Sequence, residues 1–73
     1  MAKLPVLSGD DLIKALLKAG FRPIRRKGSH VSMQKENYKT VIPLHKELSK
    51  GTLLGILKQC GLSREDLIAL LKK

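Results

Sequence analysis

The residues of this sequence that are best suited to chemistry lie in one short run, Arg25-Arg26-Lys27-Gly28-Ser29-His30. Histidine is the side chain that most readily moves protons near neutral pH. Lysine and arginine hold phosphate groups through charge-assisted hydrogen bonds, and a glycine lets a ligand approach the backbone closely. The run predicts a site in which cations hold a phosphate backbone and a tight turn presents one imidazole. The candidate residues are His30 as the catalytic group and, for backbone binding and turn shape, Arg25, Arg26, Lys27, Gly28 and Ser29.

The chemistry available to such a site is proton transfer from a ribose hydroxyl. A neutral imidazole beside a phosphodiester can take the 2′-hydroxyl proton, and that oxygen then attacks the adjacent phosphorus while a cation stabilises the developing charge. The reaction requires RNA, because DNA lacks the hydroxyl, and it requires no metal. His30 and His45 are far apart in sequence, Cys60 lies in an apolar pattern, and no spacing matches a zinc site. We therefore expect neither a metal nor a cofactor.

His45 is a second candidate, since it follows the third predicted strand. It can act as a partner acid if it shares the open face of the sheet with His30. The alternative, which we favour because the parity of a strand end is weakly fixed, is a histidine that orders the following loop.

The start of the second predicted helix differs from the starts of the other two. Lys50 opens it, Lys46 lies just upstream, and its first turn contains no acid. A helix N-terminus flanked by lysines suits a bound anion, so we include Lys46 and Lys50 among the candidate RNA-binding residues. The alternative is that Glu47 offsets the lysines and nothing binds there.

Length and charge limit what the chain can be. Its 73 residues are enough for one small domain, which we assign to residues 1–73. A net charge of +9, from 15 Lys and Arg against 6 Asp and Glu, favours nucleic acid, an acidic protein or an anionic membrane as partner.

One cysteine suits a reducing compartment. No apolar run approaches the length of a membrane span, and Met1–Leu7 is too short for a signal peptide. We expect a cytoplasmic protein with no membrane partner.

A helix-start signal recurs three times: a Leu-Ser pair, with another leucine four residues after the serine. Between the first two signals, the apolar residues follow the two-residue alternation of strands. The predicted helices are Gly9–Ala19, Lys50–Cys60 and Arg64 to the C-terminus. The predicted strands are Arg22–Lys27, His30–Lys35 and Lys39–Leu44, joined by turns at Gly28-Ser29 and Glu36-Asn37-Tyr38. Pro23 places the first strand at an edge. The expected fold is α+β, with three antiparallel strands and helices on one sheet face. Alternation along the second strand then turns His30, Ser32 and Gln34 toward solvent.

These residues resemble those of the HicA-type, or YcfA-like, toxins of toxin–antitoxin modules. The resemblance covers nearly the whole chain and is carried by Ser8 with Leu12-Ile13-Lys14 and Leu16-Leu17, Gly20-Phe21, Arg26-Lys27-Gly28-Ser29-His30, Val41-Ile42-Pro43-Leu44-His45, and Lys50-Gly51-Thr52-Leu53 with Ile56-Leu57. It implies a double-stranded-RNA-binding-domain-like fold and translation-independent cleavage of mRNA by the histidine of the Gly-Ser-His turn, here His30. It also implies a HicB-type antitoxin that covers this region. The segment from Leu62 to Lys73 goes beyond many relatives.

Three functional hypotheses fit this sequence. The first is a metal-independent endoribonuclease toxin acting on single-stranded mRNA. The second is a non-catalytic RNA-binding module of the same fold, for which the charge alone suffices. The third is a protein-interaction domain whose basic face meets an acidic partner. The first and third are compatible in a toxin that has an antitoxin.

Overall fold

The computed structural model describes residues 4–72, which form helices and strands in the predicted order α-β-β-β-α-α. The helices are α1 (Gly9–Lys18), α2 (Lys50–Cys60) and α3 (Arg64–Leu71), and the strands are β1 (Arg22–Lys27), β2 (His30–Lys35) and β3 (Tyr38–Pro43). Met1, Ala2, Lys3 and Lys73 lie outside the described residues, and with them part of the predicted N-terminal segment and the predicted end of the third helix. The predicted β1, β2 and α2 are confirmed residue for residue.

Three predicted elements have different ends in the structure. The third helix, predicted to reach the C-terminus, ends at Leu71, with Lys72 as its extended C-cap. The first helix ends at Lys18, with Ala19 as its C-cap. The amides of Gly20 and Phe21 donate to the carbonyls of Leu17 and Leu16, which closes the last turn as a Schellman motif. The third strand runs from Tyr38 to Pro43 rather than from Lys39 to Leu44, because Tyr38 already pairs with Lys35 across the second turn.

The recurring serines are N-caps, as predicted. The hydroxyls of Ser8, Ser49 and Ser63 accept hydrogen bonds from backbone amides three residues later. In α1 and α3 an aspartate closes a capping box, whereas α2 has no acid in its first turn. The Ser63 amide donates to Asp66 at 2.9 Å, and this bond, with a smaller contribution from the Ser63 hydroxyl, lowers the pKa of Asp66 below its ordinary value.

The strands form one antiparallel sheet in the order β1-β2-β3, so β1 is an edge strand, as Pro23 predicts. Helices cover one face, here called the inner face, toward which Val31, Met33, Thr40 and Ile42 are buried. The buried Thr40 hydroxyl donates to Gln59 of α2 at 2.7 Å. The core contains the following aliphatic, aromatic and sulfur side chains: Leu7, Leu12, Ala15, Leu16, Phe21, Val31, Met33, Ile42, Leu48, Leu53, Ile56, Leu57, Cys60 and Leu67.

Two contacts fix α1 between the sheet and α3. A Cβ at Gly9 would collide with the carbonyl oxygen of Pro43, so only glycine allows the start of α1 to approach the end of β3 this closely. At the other end, the Lys18 ammonium donates to the Leu70 carbonyl of α3 at 3.3 Å. Leu67 of α3 is fully buried. The C-terminal helix therefore completes the core.

The layout is α+β and double-stranded-RNA-binding-domain-like, as predicted, with an additional helix at the C-terminus. Among residues 4–72, no helix has the length and apolar character needed to cross a bilayer.

Candidate nucleic-acid interface

His30 is the first residue of β2 and is exposed. It pairs with Lys27 of β1 on one side and with Pro43 of β3 on the other. The two residues between Lys27 and His30 form the predicted turn, in which Gly28 has φ +59°. A positive φ at the first central residue and not at the second matches a type II′ turn, the kind that fits the twist of a hairpin. The turn therefore brings Lys27 directly beside His30.

A β-bulge in β1 decides which cations lie beside the histidine. Arg22 pairs with Gln34, but after an irregularity between Pro23 and Arg25 the next partner of Ser32 is Arg25. In a regular strand, residues three apart point to opposite faces. The extra residue, Ile24, restores Arg25 to the face of Arg22.

We call the solvent-facing side of the sheet the outer face. Residues directly opposite on antiparallel strands share a face, so the pairing fixes its membership. It is formed by Arg22, Arg25, Lys27, His30, Ser32, Gln34, Lys39, Val41 and Pro43. None of the strands β1, β2 and β3 contains an aspartate or a glutamate. The outer face is therefore a cationic surface with one imidazole.

Arg26 lies on the opposite side of β1 from this surface. It pairs with buried Val31, and its Nε atom donates to the Gly28 carbonyl at 3.4 Å. It borders a groove of about 390 Å³ between β1 and α1, lined also by Asp10, Ile13, Pro23, Arg25, Val31 and Leu44. The structure therefore separates two arginines that the sequence presents as one cluster, although Arg25, at the strand edge, borders the groove as well.

His45 lies in the loop after β3 and is exposed. Its carbonyl accepts a hydrogen bond of 2.9 Å from the Gly9 amide, which ties the loop to the start of α1. Because Pro43 pairs with His30, both histidines lie at the same end of the sheet. His45 is outside the strand, however, so no ladder pairing fixes its side chain on the outer face. The contact of its backbone agrees with a role in ordering the loop.

Lys46 and Lys50 are both exposed near the start of α2. Lys50 is the first helical residue, and the N-cap hydroxyl of Ser49 accepts a hydrogen bond from the Thr52 amide at 3.2 Å. Lys46 lies in the loop before Leu48, whose amide donates to the Leu7 carbonyl at 2.7 Å. The two lysines flank this helix end and lie outside the strands that contain Lys27 and His30.

No group of three or more His, Cys, Asp and Glu side chains within residues 4–72 is placed to hold a metal ion. Cys60 is buried in the core, as predicted, and its loss of solvent contact raises its pKa to about 11. Because the thiolate is the nucleophilic form, this thiol is inert at neutral pH.

Arg22 and Lys39 were not among the candidates selected from sequence, yet they lie on the outer face on either side of Gln34. If β1 alternated regularly, as the sequence alone suggests, Arg22 would share a face with Arg26 and not with Arg25. The sequence signal for the actual arrangement is Pro23, since prolines within sheets occur at edges and bulges.

Comparison with known families assigns most of the chain to one family. A family described as "HicA toxin of bacterial toxin-antitoxin" matches residues 9–62, from the first residue of α1 to the second residue after the end of α2. The match includes β1, β2, β3 and the turn before His30, and it leaves α3 outside. Comparisons with curated proteins and with solved structures found no match. The family match extends over 54 of 73 residues, and the chain therefore belongs to the HicA toxin family of bacterial toxin–antitoxin systems.

Proposed function

We propose that this toxin is a metal-independent endoribonuclease that cleaves single-stranded mRNA, with His30 as its proton-transfer group. The observation that carries the proposal is the position of His30, exposed on the outer face, directly beside Lys27 and in strands that contain no carboxylate. A phosphate bound by Lys27 and Arg25 places its ribose next to the imidazole. Histidine needs only small changes in environment to act as base or acid near neutral pH.

The reaction begins when His30 takes the proton of a ribose 2′-hydroxyl. The 2′-oxygen forms a bond to the adjacent phosphorus, and the bond from that phosphorus to the 5′-oxygen of the next nucleotide breaks. The departing 5′-oxygen receives a proton, from His30 or from water. Lys27 and Arg25 stabilise the negative charge that grows on the phosphoryl oxygens. The products are a 2′,3′-cyclic phosphate and a 5′-hydroxyl.

The partner expected of a toxin in this family is an antitoxin, and we propose a HicB-type protein that covers the region of His30. A surface with Arg22, Arg25, Lys27 and Lys39 favours an acidic partner surface. Covering this region would block substrate access and the proton-transfer group together. An mRNA substrate also places the toxin in the cytoplasm.

The second candidate is a non-catalytic RNA-binding module, which the same cations support without any role for His30. The test is His30→Ala, assayed for cleavage of one RNA beside the wild type, with circular dichroism as the control for folding. Because His30 is exposed, the substitution should change stability by no more than ~0.5 kcal/mol. We expect cleavage to disappear while RNA binding persists. If the folded variant cleaves as fast as the wild type, His30 is not the catalytic group.

A further inference from the structure

We propose that Arg22 and Lys39 form a second phosphate-binding position for single-stranded RNA, at the end of the outer face farthest from His30. The proposal deepens the proposed function and rests on it for the class of substrate. It adds two residues that sequence reasoning did not select. It also gives the RNA a path along the outer face of the sheet, between His30 and the second position.

The pairing of the strands creates this position. Arg22 of β1 and Lys39 of β3 both pair with Gln34 of β2, so they form one row across the sheet with the glutamine between them. Neighbouring strands lie about 4.8 Å apart, so the two cations start from backbone positions about 10 Å apart. Both side chains are exposed. Two long, flexible cations at this separation can contact one phosphate from both sides.

The distance to His30 fits a nucleotide chain. Gln34 comes four residues after His30 on the same strand and the same face. At about 3.3 Å per residue, the two rows are about 13 Å apart, and the row of Ser32 lies halfway between them, about 6.6 Å from each. That step is comparable to the spacing of successive phosphates in an extended nucleotide strand. A strand whose scissile phosphate lies at His30 therefore brings its second neighbouring phosphate to Arg22 and Lys39.

The β-bulge in β1 places cations along the whole path between the two positions. Arg22, Arg25 and Lys27 each provide one cation to successive rows of the outer face, opposite Gln34, Ser32 and His30. Without the extra residue at Ile24, the row of Gln34 would lose its arginine. A bulge that re-aims a side chain next to a functional residue is a recurrent use of this irregularity.

The surface between the rows favours a single strand. Two inter-strand spacings give a face about 10 Å wide, enough for one backbone. The phenylalanine and the tyrosine of the described residues lie elsewhere: Phe21 is buried, and Tyr38 pairs with Lys35 on the inner side, where its ring approaches Gly61. Since this face carries no Phe, Tyr or Trp between the two rows on which bases could stack, binding depends on phosphate contacts and tolerates many sequences.

The test compares two double variants that lose the same charge. Arg22→Ala with Lys39→Ala removes the proposed position, and Lys14→Ala with Lys58→Ala removes two exposed cations from α1 and α2. Each is made in the His30→Ala protein, so that RNA stays intact, and binding to a dinucleotide and to a decanucleotide is measured by fluorescence anisotropy over a range of salt. Circular dichroism controls for folding.

We expect the Arg22/Lys39 variant to bind the decanucleotide more weakly, with a slope of log K against log salt about 0.7 less negative, the contribution of one phosphate contact on a single strand. Its binding to the dinucleotide should weaken less than its binding to the decanucleotide, because a dinucleotide bound at His30 does not span both positions. Equal losses in both double variants would overturn the proposal, as would an equal loss with both ligands. So would unchanged RNA binding with weaker binding of polyglutamate, which would assign the row to an acidic partner. Because the assay needs no cleavage, its result is independent of whether the toxin is a nuclease.

Discussion

The Leu44 amide donates a hydrogen bond of 2.7 Å to the Ser29 carbonyl. This bond extends the β2–β3 ladder one step beyond the pair of His30 and Pro43. The turn before His30 is therefore held on both sides, by its own hairpin with β1 and by the loop that leads to His45. A residue held in this way has a defined position at the surface, which a proton-transfer group requires because catalysis depends on geometry.

The mechanism predicts that the 2′-hydroxyl is the nucleophile. An RNA with one 2′-deoxy nucleotide on the 5′ side of the cleaved bond should resist cleavage there, and the normal 5′ fragment should end in a 2′,3′-cyclic phosphate. Cleavage should also continue in EDTA, whereas a metal-activated water would stop. The measurement is mass spectrometry of the fragments. A deoxy-substituted bond that is cut at the normal rate would contradict the mechanism.

Arg25 and Arg26, which lie on opposite faces of β1, should differ in their contribution to RNA binding. Arg25→Ala should make the slope of log K against log salt about 0.7 less negative, the value for one phosphate contact on a single strand. Arg26→Ala should leave the slope unchanged, because Arg26 pairs with buried Val31 and its Nε donates to Gly28. The two variants serve as controls for each other, since each loses one charge. Equal slopes for both would mean that the RNA does not distinguish the two faces.

Glycines in two places should respond oppositely to alanine. A Cβ at Gly28 or at Gly55 meets no atom within 4 Å, so sterics with neighbours do not separate them. Gly28 has φ +59°, and alanine there should cost about 1 kcal/mol of stability. Gly55 lies inside α2, where alanine should stabilise by roughly 0.5–1 kcal/mol. Urea denaturation measures both, and a stabilising Gly28→Ala would show that the turn has another conformation.

The C-terminal helix should be required for stability rather than for cleavage. Leu67 is fully buried, and Leu67→Ala should lower the free energy of unfolding by about 2–5 kcal/mol through lost apolar contact and the cavity left behind. Leu17 of α1 is 48% exposed, and Leu17→Ala should cost less than about 1 kcal/mol. Chemical denaturation compares them. Similar small losses in both would mean that α3 is not part of the cooperative core.

Burial of Cys60 should appear as sensitivity to alkali. Its pKa is about 11 in the folded protein and near the ordinary value of 9.0 when unfolded. Above pH 9.0 the unfolded chain releases the thiol proton while the folded protein keeps it. The free energy of unfolding therefore falls as the pH rises toward the pKa of the folded protein. Cys60→Ala should show a shallower loss than the wild type over this range, and the comparison cancels the titration of the lysines. Parallel curves would mean that the thiol is solvated in the native state.

The sequence by itself determined the elements of this fold, because the signals that define them are local. Ser8, Ser49 and Ser63 each cap a helix through a hydrogen bond within one turn of chain. Gly28 and Ser29 fix a two-residue hairpin, and the alternation of Val31 and Met33 with polar residues fixes which face of β2 is buried. The outward position of His30 follows from the same period of two.

The tertiary structure decided which residues accompany the histidine. The bulge at Ile24 turns Arg22 and Arg25 to one face and leaves Arg26 on the other. Because the register with β2 shifts at the bulge, the side chains of β1 do not alternate regularly, and the sequence alone does not show which of them share a face. Lys39 joins that face only through pairing with Gln34 of a different strand. The role of α3 was likewise hidden, because the sequence shows an amphipathic helix but does not say that Leu67 is covered completely. Local hydrogen bonds and periodicity are written into neighbouring residues, whereas cross-strand partners and burial depend on segments that are distant in the chain.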